Sequence, residues 1–232
     1  MSPLIDTFEI AWYGHACFKI YNKDMNLSIV FDPYRGIGTI TLPPDLRGDI
    51  ILCTHDHFDH ANWNAVATYK SEKFVKLIGD RNIKGIKVRG VLVYHDEAKG
   101  SKRGDNAAYV VGYGDGVFIH LGDLGHVLTE EQVHQLTVFG RPHVLFVPVG
   151  GVYTIGPEEA IKVIKQLNPH IAIPMHYYMD GLNRVTFGRL HRLDDFLKLW
   201  DGPVKEIDGN KFEIKIEELP QVTILYTLRY PI

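Results

Sequence analysis

The chain has 232 residues, 45% hydrophobic and 23% charged, which suits a globular protein with a sizeable core. A net charge of −3 at pH 7 excludes an overall basic field that would draw it to nucleic acid or an anionic membrane. Two cysteines are too few for a disulfide framework; Cys17 and Cys53 each sit in an apolar run and read as buried, reduced thiols.

The segment Met1–Thr7 lacks the basic and apolar stretches of a secretory leader, and no apolar run approaches membrane-span length. The expectation is a cytoplasmic location. Short apolar runs then dominate. Phe8–Tyr13, Ala16–Tyr21 and Leu27–Phe31 read as strands, separated by turns at Gly14-His15 and Asn22-Lys23-Asp24. Asp32-Pro33 ends the third, and a Gly/Pro-rich loop runs to Gly48. Asp49–Thr54 reads as a strand buried on both faces.

Ala61–Lys70 has helical spacing through Trp63, Val66 and Ala67. Further strands are expected at Val75–Ile78, Val91–Tyr94, Ala107–Val111 and Val117–His120. Thr129 is the expected cap of a helix through Leu136. A buried strand at His143–Val149 is followed by a helix from Pro157 to about Leu167, with proline in the first turn. Ile171–Pro174 reads as a strand and Leu190–Trp200 as an amphipathic helix. Val204–Ile207, Lys211–Ile216 and Val222–Tyr226 close the chain as β structure. No linker or internal repeat interrupts residues 1–232, so one domain is expected, with two β layers and helices outside.

Three of the 12 histidines fall within six residues, His55-Asp56-His57-Phe58-Asp59-His60, where a stiff strand delivers the chain into a loop. Residues two apart in such a loop can point the same way. His55 and His57 can thus share one metal ion, while Asp59 and His60 reach a neighbouring point. Imidazole suits Zn²⁺, Fe²⁺ and Mn²⁺, and a carboxylate shifts preference toward harder ions. Four ligands are too few for two ions, and further candidates stand at strand ends: His95, Asp123 and His176.

These pieces together resemble the metallo-β-lactamase superfamily. The matching stretches are Thr54–His60, Tyr94-His95-Asp96-Glu97, His120–His126 and Pro174-Met175-His176-Tyr177, in the family's order across most of the chain. Gly14-His15-Ala16-Cys17-Phe18, Asp32-Pro33, Arg103-Gly104-Asp105-Asn106 and Pro148–Thr154 are similar to a compact branch that includes ascorbate-6-phosphate lactonase and other metal-dependent hydrolases.

The resemblance implies an α/β fold, the four-layer αββα sandwich, with metals at one edge of the β layers. Carried over by position, it implies His55, His57 and His95 as ligands of one ion, and Asp59, His60 and His176 as ligands of a second. Asp123 would bridge both. Two divalent ions are expected, zinc or manganese foremost and iron as an alternative. Asp59, Asp123 and His15 are the candidate catalytic groups, with Asp59 orienting a metal-activated hydroxide or managing its proton.

His120 and His126 are rival imidazoles to His95; His126 is also a candidate pocket residue, and His120 reads better as a buried strand residue. His134, His143, His170 and His191 sit in ordinary contexts. Asp56 can orient a ligand imidazole or lie solvated, and Lys102 and Arg103 can hold an anion or form a solvated turn.

The expected activity is hydrolysis of a small anionic ester, lactone or phosphodiester. A nuclease or RNA-processing phosphodiesterase is the first alternative, disfavoured because 232 residues leave little room for an RNA-gripping arm or a large inserted domain and because the charge is mildly acidic. A non-catalytic or redox di-metal protein is the second; its redox form is expected to partner a flavin-binding domain, and no Rossmann or flavodoxin-like pattern is read within these 232 residues. The expected partner is a small molecule, with neither membrane nor nucleic acid; a homo-oligomer is compatible with the sequence.

Overall fold

The computed structural model describes residues 6–230. The leader reading rests mainly on residues 1–5, which lie outside them. The chain opens with β1 (Thr7–Trp12), β2 (Phe18–Asn22), β3 (Leu27–Phe31), β4 (Ile50–Cys53) and β5 (Glu72–Val75). Then come β6 (Gly79–Ile83), β7 (Ile86–Tyr94), β8 (Asp105–Tyr113), β9 (Gly116–His120), α1 (Glu130–Leu136), β10 (Val144–Pro148), α2 (Pro157–Leu167) and β11 (Ile171–Met175). Two short helices, α3 (Arg184–Phe187) and α4 (Leu193–Leu197), precede β12 (Val204–Glu206), β13 (Lys211–Lys215) and β14 (Ile224–Thr227).

The strands form two sheets, ordered β13-β1-β2-β3-β4-β5 and β12-β14-β11-β10-β9-β8-β7-β6. Their facing sides are built from large apolar residues. Phe8 of β1 meets Tyr113 and Phe118 edge-on at 5.3 and 4.9 Å, and Phe18 meets Phe146 at 4.3 Å. Tyr109 ties the layers by a polar contact, its hydroxyl donating to the Cys53 carbonyl at 2.9 Å. β9, β10 and β11 are buried along their whole length and run parallel, as strands covered on both faces do.

That cover is α1 against β7 and β8, and α2 against β10. Thr129 caps α1 as expected: Gln132 N–H donates to its hydroxyl, and the Gln132 side-chain oxygen accepts from Thr129 N–H. α2 starts on Pro157 and buries Ala160, Val163, Ile164 and Leu167, one stripe at helical spacing. The outer side of the first sheet has a thinner cover. Val30, Ile51, Cys17 and Cys53 pack there against Tyr34, Ile37, Val66, Phe187 and Leu190. Both cysteines are free and buried, as the sequence suggests. The expected mixed α/β sandwich is the fold observed. No helix among the described residues is long and apolar enough to cross a membrane.

Three expectations differ in extent. Ala61–Lys70 forms only a 3₁₀ turn at Trp63–Ala65. Asn62 N–H donates to the Pro33 carbonyl and Gly48 N–H to the Val66 carbonyl, so the segment is tied to the neighbouring loop after one turn; Tyr69 beyond it is 92% exposed. Residues 68–70 are exposed, so carrying a helix past Ala67 would bury nothing more. The strand expected at Val75–Ile78 splits: Val75 ends β5, and the chain crosses to the other sheet and begins β6 at Gly79. β6 is polar and mostly exposed, so alternation does not reveal it. The helix expected at Leu190–Trp200 contracts to α4.

His143 and His170 stack with ring centroids 5.3 Å apart, outside the candidate site. The Val117 N–H donates to His143 Nδ1 at 2.8 Å. Burial, then the neighbouring His170 and Arg141, pushes the His143 pKa from 6.5 down to about 4. The folded state therefore prefers neutral His143, and its contribution is complete above pH 6.5 and lost as pH falls toward 4. Discounted for partial exposure, the loss is about 1–2 kcal/mol. Urea unfolding of wild type and His143→Asn between pH 7 and 4.5 checks this; the variant keeps an acceptor for Val117 and should show the shallower acid slope. Parallel slopes would refute it.

Candidate metal centre

The candidate residues come from the ends of five strands. Thr54–His60 follows β4, His95 follows β7, Asp123 follows β9, His176 follows β11, and His15 sits in the turn between β1 and β2. Side chains at strand ends converge on one edge of the sandwich, where the backbone is free to turn.

Two groups of ligand atoms result. His55, His57 and His95 each bring a nitrogen within 4.8 Å of the others. His15, Asp59, His60 and His176 do the same at a second point. Asp123 stands between. Its Oδ2 lies 3.0 Å from His95 Nε2, 3.3 Å from His176 Nε2 and 3.8 Å from His55 Nε2, while its Oδ1 lies 3.2 Å from His60 Nε2. All seven expected ligands thus gather at one centre, and His15 joins them: its Nε2 is 3.3 Å from Asp59 Oδ2 and its ring 4.0 Å from that of His176.

The backbone is bent to achieve this. His15 and His176 have φ of 52° and 54°, and Asp32 has 41°, a left-handed region that side chains rarely adopt. Gly122 precedes Asp123 with φ 54°, and a Cβ there would lie 2.4 Å from Asn106 Oδ1, the atom that accepts from Asp123 N–H at 3.2 Å. Only glycine fits, so Asn106 can hold the aspartate in place.

The orienting partner that sequence reasoning missed is Asp32. It is fully buried and accepts from Thr54 N–H at 2.7 Å, Thr54 Oγ1–H at 2.8 Å and His60 Nδ1–H at 2.8 Å. With its proton given to Asp32, Thr54 Oγ1 accepts from His55 Nδ1, 3.0 Å away. One carboxylate therefore sets the ring orientation of two histidines and turns both Nε2 atoms inward. Asp32-Pro33 reads in one dimension as a strand stop; its distance of 28 residues from His60 hides the pairing.

The inward atoms test whether metal ions fit. Among the described residues, His55 Nε2, His60 Nε2, His176 Nε2 and Asp123 Oδ1 are all buried without a hydrogen-bond partner. Buried polar atoms are seldom left so, and a group of imidazole and carboxylate atoms facing one point is a metal-ligand set. In the metal-free state, burial pulls the His60 pKa down, but Asp123, Asp32 and Asp59 outweigh it and hold it well above 6.5. Burial pushes Asp123 up, yet His176, His60 and His95 hold it well below the ordinary range. Burial, with the His60 charge behind it, lowers His55 to about 3. Any cation bound here must displace the His60 proton, so binding weakens in acid.

The rivals fall away from the centre. His120 Nε2–H donates to the Ala16 carbonyl at 2.9 Å, its Nδ1 accepts from Gly122 N–H at 3.2 Å, and its ring stacks on Phe31 at 4.9 Å. Both nitrogens are committed, so it supports the strand ends. His126 accepts from Tyr94 N–H and donates to the Val127 carbonyl, and it does not line the cavity at the centre. Asp56 does line that cavity, exposed, and bonds to no ligand imidazole among the described residues. His134, His143, His170 and His191 lie outside it. The cavity measures about 620 Å³ and is walled by Phe58, Tyr153 and Phe187, with Lys102 and Arg103 on its lining.

Residues 9–176 match the family described as the beta-lactamase superfamily domain. The chain belongs to this superfamily. The matched stretch runs from β1 to His176 and so takes in every candidate residue. Superfamily members named UPF0173 metal-dependent hydrolases are similar over most of their length. The one from Thermoplasma acidophilum is 29% identical, covering 82% of this chain and 92% of its own; the one from Methanocaldococcus jannaschii is 29% identical, covering 96% and 99%. The crystal structure of a Thermotoga maritima protein, named as a candidate zinc-dependent hydrolase of the superfamily, superposes with a TM-score of 0.70 at 33% identity, covering 96% of this chain and all of its own. A metallo hydrolase from Ignicoccus hospitalis shares the superfamily fold at 18% identity, with a TM-score of 0.66 over 90% and 99% of the two chains. This superfamily chain is a metal-dependent hydrolase.

Proposed function

We propose that the chain, as a single domain, hydrolyses a small anionic ester, lactone or phosphodiester at a centre of two divalent ions, zinc or manganese foremost. His55, His57, His95 and Asp123 would hold one ion; Asp59, His60, His176 and Asp123 would hold the other. The observation that carries this reading is the set of buried, unpartnered nitrogen and oxygen atoms gathered around Asp123.

Such ions, when bound, bring the pKa of water toward neutrality and draw charge from a carbonyl or phosphoryl oxygen. The protein's own groups do the remaining work. Asp32 and Thr54 keep His55 and His60 turned inward. Asp59 presents a carboxylate at the cavity wall, placed to orient the attacking water and accept its proton. His15, 3.3 Å behind Asp59, steadies that carboxylate; burial and then His176 depress its own pKa to about 4. Phe58, Tyr153 and Phe187 limit water around the reacting bond.

Purified protein reconstituted with Zn²⁺ or Mn²⁺ should hold two equivalents per chain by elemental analysis. Chelation should lower the melting temperature by about 5–10 °C, the size expected when a ligand is removed from about 100 times its dissociation constant. A panel of lactones, aryl esters and phosphodiesters then identifies the substrate class. Less than one equivalent after reconstitution would sink the two-ion reading.

A further inference from the structure

Among the described residues, one cation on the cavity wall has no counter-ion. Arg103 lines the cavity half-buried, and no carboxylate lies within ion-pair distance of its guanidinium among the described residues. Its neighbours are already committed: Lys102 pairs with Glu97 at 2.5 Å and Asp105 with Lys76 at 4.0 Å. Asp56 shares the cavity but does not reach it. Arg103 lies instead over the ring of Tyr153, 5.6 Å from its centroid.

The arginine is held in place by two built supports. Asp96, buried directly after His95, accepts from the N–H groups of Ala98 at 2.8 Å, Gly100 at 3.1 Å, Lys102 at 3.0 Å and Arg103 at 2.8 Å. One carboxylate thus winds residues 96–103 into a fixed ring and ties Arg103 to a candidate metal ligand. On the other side, the Tyr153 hydroxyl donates to the Thr186 carbonyl at 2.8 Å. Val152 before it has φ 59°, a conformation that a β-branched residue adopts only under constraint. The turn is forced, and its product is an aromatic face beneath a guanidinium.

We propose that Arg103, braced on Tyr153, reads a carboxylate or phosphate of the substrate, while Phe58, Tyr153 and Phe187 take the apolar part between that anion and the scissile bond. A planar guanidinium matches either group through two parallel N–H donors, and a cavity with no competing carboxylate on Arg103 leaves those donors free. The assignment rests on the hydrolase reading above for the scissile bond.

The test uses 4-phenylbutyrate and 4-phenylbutyramide, which share a skeleton and differ in charge, titrated into zinc-loaded protein by calorimetry. Wild type should bind the acid about 10- to 100-fold more tightly than the amide, as a charge-assisted pair requires. Arg103→Ala should abolish that preference, Arg103→Lys should restore part of it, and added salt should weaken the acid alone. Equal binding of acid and amide by wild type, no saturable binding of the acid, or full preference retained in Arg103→Ala would each overturn the proposal. Elemental analysis of the same samples, and the same titration on metal-free protein, keep a failure of the metal reading separate from a failure at Arg103.

Discussion

Asp123→Ala should lose bound metal and turnover together, with activity falling on the order of 10²–10³-fold or more. The reason is geometric. Four imidazole nitrogens lie within 3.8 Å of this one carboxylate, so removing it takes the anion from the middle of both ligand groups. Asp123→Asn sharpens the test. It keeps the volume and the Asn106 contact to the backbone while removing the charge, so metal content should fall nearly as far. Elemental analysis beside steady-state rates measures both. Full activity in Asp123→Ala would remove this residue from the centre.

Asp32→Ala should damage stability and metal binding at once. Three donors converge on the Asp32 carboxylate, and among the described residues only the Thr54 hydroxyl has another partner, His55 Nδ1 at 3.0 Å. Leaving His60 and Thr54 unsatisfied in a fully buried place costs about 3–5 kcal/mol, a loss of about 10 °C in melting temperature for a chain of this size. The ring of His60 also loses what fixes its orientation, so metal affinity should drop about 10- to 100-fold. Asp32→Asn should fall between: its amide oxygen can still accept from Thr54, but its amino group faces the His60 Nδ1–H. Calorimetric melting and metal titration of the two variants give the order wild type, Asn, Ala. An Ala variant with wild-type melting and affinity would show that Asp32 orients nothing.

The contrast between these two aspartates shows what a sequence discloses. Asp123, His95 and His176 each follow an apolar run, and a ligand-type residue at the end of a buried strand is visible without coordinates. His55–His60 is visible through density of histidine alone. Asp32 also follows an apolar run, but the adjoining proline makes it resemble a strand terminus, and its role depends on a left-handed φ of 41° that no pattern announces. Asp96 stands in the sequence only as part of the Tyr94–Glu97 motif; its four backbone donors come from residues that follow it closely, an arrangement that composition does not encode.

For the fold, the long buried strands and α2 were legible because burial imposes their periodicity. The polar β6 was not, since its place is fixed by pairing with β7 rather than by a face it buries. Helical spacing at Ala61–Lys70 misled because one turn of spacing is satisfied equally by a 3₁₀ turn.

The pairing of β1 with β13 joins Thr7 to Lys215, about 200 residues apart. During synthesis at about 5–20 residues per second, the strand that seats Phe8 and Ile10 waits some 10–40 s for its partner to leave the ribosome. Until then the first sheet has an open edge that a chaperone, or another nascent chain, can occupy. The candidate group of His15, Asp59, His60 and His176 shares much of the delay, since His15 emerges early and His176 late. A metal group that draws on both His15 and His176 can therefore close only on a nearly finished polypeptide.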